Sequence, residues 1–191
     1  MSLEPLRSEC WEMAVHAEGT RTVFDSRAKY YSFITLIRDM VGLGLPVVAA
    51  TYYSADVIAI LEPYKKGVVF VLALFGGAQL LIVLASLIRR WDEEYAYCTR
   101  ATSDAYNIKA EWTSAAKSPD AEIPLRVALL RARQQLLDQD DSKKRVSSEE
   151  RQRGMRAGLI EFRRPCVCGE KPTSYKIPKN PTQRCVVCGG N

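Results

Sequence analysis

Residues 67–88 read GVVFVLALFGGAQLLIVLASLI and are closed at once by Arg89, Arg90 and Trp91. These 22 residues carry no charge, and Gln79 and Ser86 are the only strongly polar side chains among them. At the helical rise per residue the run extends about 33 Å, enough for a hydrocarbon core of about 30 Å. A helix packed inside a water-soluble protein rarely stays apolar on every face for this long, so the run is expected to span a membrane. Arg89, Arg90 and Trp91 then form an interfacial anchor, two bases and an indole at headgroup level.

The preceding segment gives a second, less clean span at about residues 40–61, MVGLGLPVVAATYYSADVIAIL. Asp56 is its flaw and falls at the far interface, where Tyr52 and Tyr53 suit an aromatic belt. Pro46 is tolerable, because neighbouring groups in a membrane helix re-satisfy the carbonyl it frees. The alternative is one span plus an interfacial amphipathic helix. The connection Glu62-Pro63-Tyr64-Lys65-Lys66 is too short for anything but an antiparallel hairpin, with both chain ends on one side. Arg21, Arg27, Lys29 and Arg38 precede the first span, and Arg89, Arg90 and Arg100 follow the second, against Lys65 and Lys66 in the turn. This excess of bases places both termini in the cytoplasm of a multi-pass inner-membrane protein. The charged N-terminal segment is too long for the n-region of a secretory signal.

The chain has 191 residues and a net charge of +5. From Lys117 onward, sixteen Lys or Arg face nine Asp or Glu, a balance of about +7, while the first 116 residues balance to about −2. A basic tail suits anionic lipid headgroups or nucleic acid, and equally a solubilising surface. No Walker loop, GxGxxG or GxSxG is present, and His16 is the only histidine. A lone histidine on a helix is more often a packing or capping residue than a base. No catalytic constellation is visible, and two spans supply no titratable cluster, so an enzyme is not expected.

The chain divides into a cytoplasmic helical segment at 1–39, the hairpin at 40–88, a stalk helix at 89–117, a basic helical region at 118–163 and a small module at 164–191. In the first segment Trp11, Val15, Val23, Phe24, Tyr30, Tyr31 and Ile34 share one helical face, with Gly19 the weak point. In the stalk, Tyr95, Cys98, Ala101, Ala105, Ile108 and Trp112 recur at steps of three and four. As extensions of the two membrane helices, these segments should pack together, which accounts for their aromatics better than a ligand box does. Pro119 and Pro124 break the stalk. A helix resumes over 125–139, with Leu125, Leu129, Ala132 and Leu136 and the neighbouring Leu130 and Leu137, and a charged linker follows at 140–145. Ser147 with Glu150 is a capping-box pattern that opens a further helix to Arg163.

Four of the six cysteines lie in the tail: Cys166 and Cys168, sixteen intervening residues, then Cys185 and Cys188. The second pair is a knuckle, two thiolates three apart with Gly189 next, which lets the backbone turn its N–H groups toward the sulfurs. The first pair is tighter, but Gly169 follows it in the same way. Cytoplasmic exposure argues for metal ligation over disulfides. Four thiolates closing a tetrahedron around Zn²⁺ make a structural site, and metal binding would stabilise a zinc-ribbon-like module too small to fold alone. A redox dithiol or an iron–sulfur cluster are the alternatives. Residues 171–181 suit the small hairpin of such a ribbon.

Gly76, Gly77 and Gln79 make a small-and-polar patch at mid-span. It suits close helix approach between copies in a homo-oligomer, or packing of the second span on the first. Plain tolerance of glycine in a membrane helix accounts for the pair equally well.

The order of parts resembles a known group. Cys10-Trp11, His16-Ala17, Gly19-Thr20, Phe24 and Arg27-Ala28-Lys29-Tyr30 enter the hairpin, and Arg89-Arg90-Trp91 with Tyr95 leave it. This is similar to the SLATT two-transmembrane proteins of prokaryotic conflict systems. With its cysteine tail the chain resembles more closely a mobile-element-associated family named for paired CxxC motifs. It departs from that pattern in its CxC pair and longer spacer. The resemblance implies an antiphage effector that oligomerises and permeabilises the inner membrane when a sensor or signalling partner triggers its cytoplasmic part. The alternative is a non-toxic membrane adaptor whose zinc ribbon recruits a protein or nucleic acid.

Overall fold

The computed structural model describes residues 3–52, 65–177 and 185–189, and among them every regular element is a helix. Helix α1 spans Glu4–Tyr52, α2 Lys65–Arg89, α3 Trp91–Ala116, α4 Ile123–Ser142 and α5 Ser148–Glu161. Tyr53, Asp56 and most of the expected turn (62–64) lie outside the described residues. Two helices, α1 in its apolar C-terminal part and α2, are long and apolar enough to cross a membrane. The chain forms two compact units, Met1–Arg27 with Tyr97–Asn191, and Ala28–Ala96.

In the first unit the N-terminal part of α1 packs against α3 and α4. Cys10, Ala14 and Ala17 meet Ile108, Trp112 and Ala115, with Ile123, Val127 and Leu130 closing the cluster. On α3 the buried set is the one its periodicity marks, Cys98, Ala101, Ala105, Ile108 and Trp112, while Tyr95 is exposed. Trp112 is completely buried, and its indole N–H donates to Gln134 Oε1 at 3.3 Å, so the one polar atom of the largest core side chain is satisfied. The buried carboxylate of Glu18 accepts from Arg21 at 2.5 Å and Lys109 at 2.9 Å. Burial alone would raise its pKa; these two cations outweigh it and hold the carboxyl below its usual range.

Two expectations about helix faces are corrected here. Gly19 is no weak point. A side chain at Gly154 of α5 would lie 2.6 Å from the Gly19 carbonyl oxygen, and one at Gly158 would run into the Val15 carbonyl. Glycines at 154 and 158 let α5 touch the backbone of α1, and Gly19 lies in that crossing. The second correction concerns α4, which buries Ile123, Val127, Leu130 and Gln134. The face marked by Leu125, Leu129 and Leu136 is exposed. The two faces are spaced equally well for a helix, and α4 also continues through residues 140–142, expected as linker.

Helix α5 begins with the expected capping box: Ser147 Oγ accepts from the Glu150 N–H and the Glu150 carboxylate accepts from the Ser147 N–H. Arg27 of α1 donates to both Glu150 oxygens at 2.8 Å. The guanidinium, with the Ser147 donors, draws the Glu150 carboxyl down to about 2. The helix stops at Glu161, two residues short of expectation, and Arg163 follows in the left-handed region at φ 51°.

In the second unit α1 and α2 run antiparallel, since Arg38 pairs with Ser86 while Gly42, further along α1, lies against Gln79, earlier in α2. Arg38 donates to Ser86 Oγ at 2.7 Å, to Asp92 at 2.7 and 3.1 Å, and to Asp39 at 2.9 Å. The guanidinium holds the Asp92 carboxyl below its usual range. Gln79 Nε2 donates to the Arg38 carbonyl at 3.2 Å, while its Oε1 is buried without a hydrogen-bond partner. Gly76 and Gly77 face open space, with nothing within 4 Å of a side chain built on either. Arg90, at φ 51°, separates α2 from α3; it pairs with Glu93 at 3.2 Å, and Arg89 beside it is exposed.

Candidate metal centre

The four tail thiols converge. Cys166, Cys168, Cys185 and Cys188 offer sulfurs that all lie within 4.8 Å of one another. Cys166 Sγ is 3.8 Å from Cys185 Sγ, and Cys168 Sγ is 3.6 Å from Cys188 Sγ. A Zn–S bond of about 2.3 Å sets the edges of a ZnS₄ tetrahedron at about 3.8 Å. Four soft donors at this spacing fit one tetrahedral metal ion.

Each pair is held by the same device. The Gly169 N–H donates to the Cys166 carbonyl at 2.8 Å and the Gly189 N–H to the Cys185 carbonyl at 2.8 Å. Gly169 and Gly189 have φ of 87° and 65°, a conformation that favours glycine. So the CxC pair, despite its missing residue, closes a turn like that of the CxxC pair. Backbone N–H groups of Cys188 and Val187 aim at Cys185 and pull its thiol down to about 7, toward the deprotonated form a metal requires. Burial pushes the Cys166 thiol up. The described residues 171–177 contain no strand, so the ribbon hairpin expected there does not form over them. Residues 178–184 lie outside the described residues.

The cage rests on α5. Val15 and Leu159 pack under Cys166 and Cys188. Buried Arg156 fans out to the Ser174 carbonyl at 2.9 Å, the Cys188 carbonyl at 3.2 Å and Glu170 at 3.3 Å. Glu170 in turn sits 3.6 Å from Cys188 Sγ. Arg156 therefore gathers both halves of the tail around the sulfurs, a role the sequence reading missed. Its one signal was an arginine on the face of α5 shared with Gln152 and Leu159, opposite the glycines that meet α1.

A family model described as "Mobilome CxxCx(11)CxxC protein" matches residues 7–191. The chain belongs to this family. Within the mobilome CxxCx(11)CxxC family pattern, this member carries CxC in place of the first CxxC and sixteen residues between the pairs. No curated protein and no solved structure matches the chain.

Cys10 and Cys98 take no part in this cluster and are buried among the helices. Burial raises the Cys10 thiol. His16 is exposed, on the rim of a groove of about 600 Å³ that Phe24, Asp141, Lys144 and Arg151 also line.

Proposed function

We propose that the chain is an integral inner-membrane effector of prokaryotic antiphage defence. Several copies assemble and permeabilise the bilayer when the cytoplasmic part is triggered. The observation that carries this reading is the surface of α2, where Phe70, Leu80, Leu81, Leu87 and Ile88 all stand exposed. In water so large an apolar surface promotes aggregation; hydrocarbon covers it at no cost. Membership of a mobilome family supports a setting in genetic conflict. The open faces of Gly76 and Gly77 suit contact with a second copy. The bases around Arg89 and Arg90 favour a hairpin with both ends cytoplasmic. The cysteine cage holds Zn²⁺ as a structural ion, and no enzymatic step is assigned.

The experiment is regulated overexpression with a potential-sensitive dye. An effector arrests growth and collapses the membrane potential, and reporter fusions at residue 64 and at the C-terminus report opposite sides. A tolerated, fully polarised strain would sink the effector reading. For the metal, elemental analysis is expected to give about one zinc per chain, lost in Cys185→Ser while the hairpin stays inserted. Iron in place of zinc, or equal metal in the variant, refutes the assignment.

A second reading is a membrane-anchored adaptor, with protein or nucleic acid as the recruited partner. Val167 and Val186, one beside each cysteine pair, are each 89% exposed, apolar tips suited to a protein surface. On this reading overexpression is harmless, and Val167→Glu with Val186→Glu abolishes recruitment.

A further inference from the structure

Of the four tail thiols only Cys168 is exposed; Cys185 is half-buried, and Cys166 and Cys188 are buried. The turn that carries Cys168 stands in solvent: Val167 before it is exposed, and nothing lies within 4 Å of a side chain built on Gly169 after it. A small oxidant arriving from water therefore meets Cys168 first. The Cys168 sulfur is 3.6 Å from that of Cys188, and Cys166 is 3.8 Å from Cys185, so each of these short contacts joins one half of the tail to the other. A disulfide is about 2.05 Å long, so closing the first pair asks for a shift of about 1.5 Å.

We infer that the cage is also a site of oxidative modification, at which a peroxide joins Cys168 to Cys188 and the disulfide replaces the metal as the link between the halves. The Cys168 thiolate attacks one peroxide oxygen; an S–O bond forms, the O–O bond breaks, and hydroxide leaves. The Cys188 thiolate then attacks the Cys168 sulfur; the S–S bond forms, the S–O bond breaks, and a second hydroxide leaves. Both hydroxides take up protons to give water, and two electrons pass from the sulfurs to the peroxide. Loss of two of four donors opens the tetrahedron and frees the ion. The other holds on the tail do not involve sulfur. Arg156 donates to the Ser174 and Cys188 carbonyls, Gln152 donates to the Cys185 and Val186 carbonyls at 3.4 Å, and the Cys166 N–H donates to the Glu170 carbonyl at 2.8 Å. Oxidation leaves these bonds in place and keeps the halves tied, closing a loop between residues 20 positions apart. Chelation leaves the same bonds and no tie. The oxidised tail therefore stays on α5, and the chelated tail lifts.

The inference rests on the zinc part of the proposed function and not on permeabilisation. Its test uses the full zinc-loaded chain in detergent, treated with hydrogen peroxide. Zinc is expected to be released, peptide mass mapping to find Cys168 bonded to Cys188, and dithiothreitol with added zinc to restore the starting state. Amide exchange over residues 163–177 is expected to stay within about twofold of the zinc-loaded chain after oxidation. The same amides should exchange at least about tenfold faster when EDTA strips the metal in the presence of dithiothreitol. Zinc retained after peroxide, a bond within either pair (Cys166 to Cys168, or Cys185 to Cys188), or an oxidised tail that exchanges as fast as the chelated one would each overturn the inference and leave the zinc reading standing. A purified chain with no bound metal would overturn both.

Discussion

The two units use the same kinds of residue in opposite ways. In the first, glycine is where helices touch: Gly154 and Gly158 press α5 onto the backbone of α1. In the second, Gly42 meets the Gln79 amide, while Gly44, Gly67, Gly76 and Gly77 have nothing within 4 Å. Large apolar side chains follow the same division. Phe24, Ile108 and Trp112 are sealed inside the first unit, while Phe70, Leu80 and Leu81 of the second stand exposed. The first unit seals its largest apolar side chains within one chain and leaves one leucine face of α4 and the tail valines outside. The second leaves its large apolar side chains to its surroundings, which is the physical content of the membrane proposal.

The largest effect that would sharpen this contrast is Trp112→Ala. It opens a cavity in the first core and frees Gln134, and is expected to cost about 3–5 kcal/mol, read as lost amide-exchange protection across α3. Next comes Gly158→Ala, whose new methyl runs into the Val15 carbonyl. Overpacking of this kind costs about 1–3 kcal/mol, seen as a lower melting temperature of the first unit with α2 undisturbed. A smaller effect is acid-dependent. Glu150 titrates at about 2 when folded, against an ordinary 4.5. The depressed group therefore adds stability in full above about pH 4.5 and loses it as the pH falls toward 2. The pair is partly exposed, so solvent screening leaves about 1 kcal/mol. Arg27→Ala should remove this acid sensitivity of α5, measured by denaturation at pH 6 and pH 3. The smallest effect expected is that of Gly76→Ala, below about 0.5 kcal/mol. A loss as large as that of Gly158→Ala in the monomer would mean that the same chain covers this face of α2, and the contrast between the units would fail.

What the sequence shows most clearly is what needs no partner. Residues 67–88 declare a helix by being apolar throughout, Ser147 with Glu150 declares a helix start, and four cysteines in two turns declare a shared site. What it hides are choices made by neighbours. Periodicity marks Leu125, Leu129 and Leu136 as readily as Ile123, Val127 and Leu130, and only the docked core decides which set is buried. Gly19 looks like a helix breaker until α5 lies across it. Arg156 looks like one more base in a basic tail, because nothing local reveals three acceptors arriving from residues 170, 174 and 188. The core role of the small residues Cys10, Ala14 and Ala17 is hidden for the same reason: periodicity is read from large neighbours, yet close helix packing selects small side chains.

The placement of the six thiols turns the chain into its own clock for alkylating reagents. Cys168 is exposed and Cys185 half-buried, Cys166 and Cys188 are buried beneath them, and Cys10 and Cys98 lie in a separate helical core. A reagent meeting the metal-free chain should mark the outer pair first and the inner pair once the tail lifts from α5. The last two should react only when α1 parts from α3. Counting adducts by mass over time would order these openings on a single native molecule, with no label to attach.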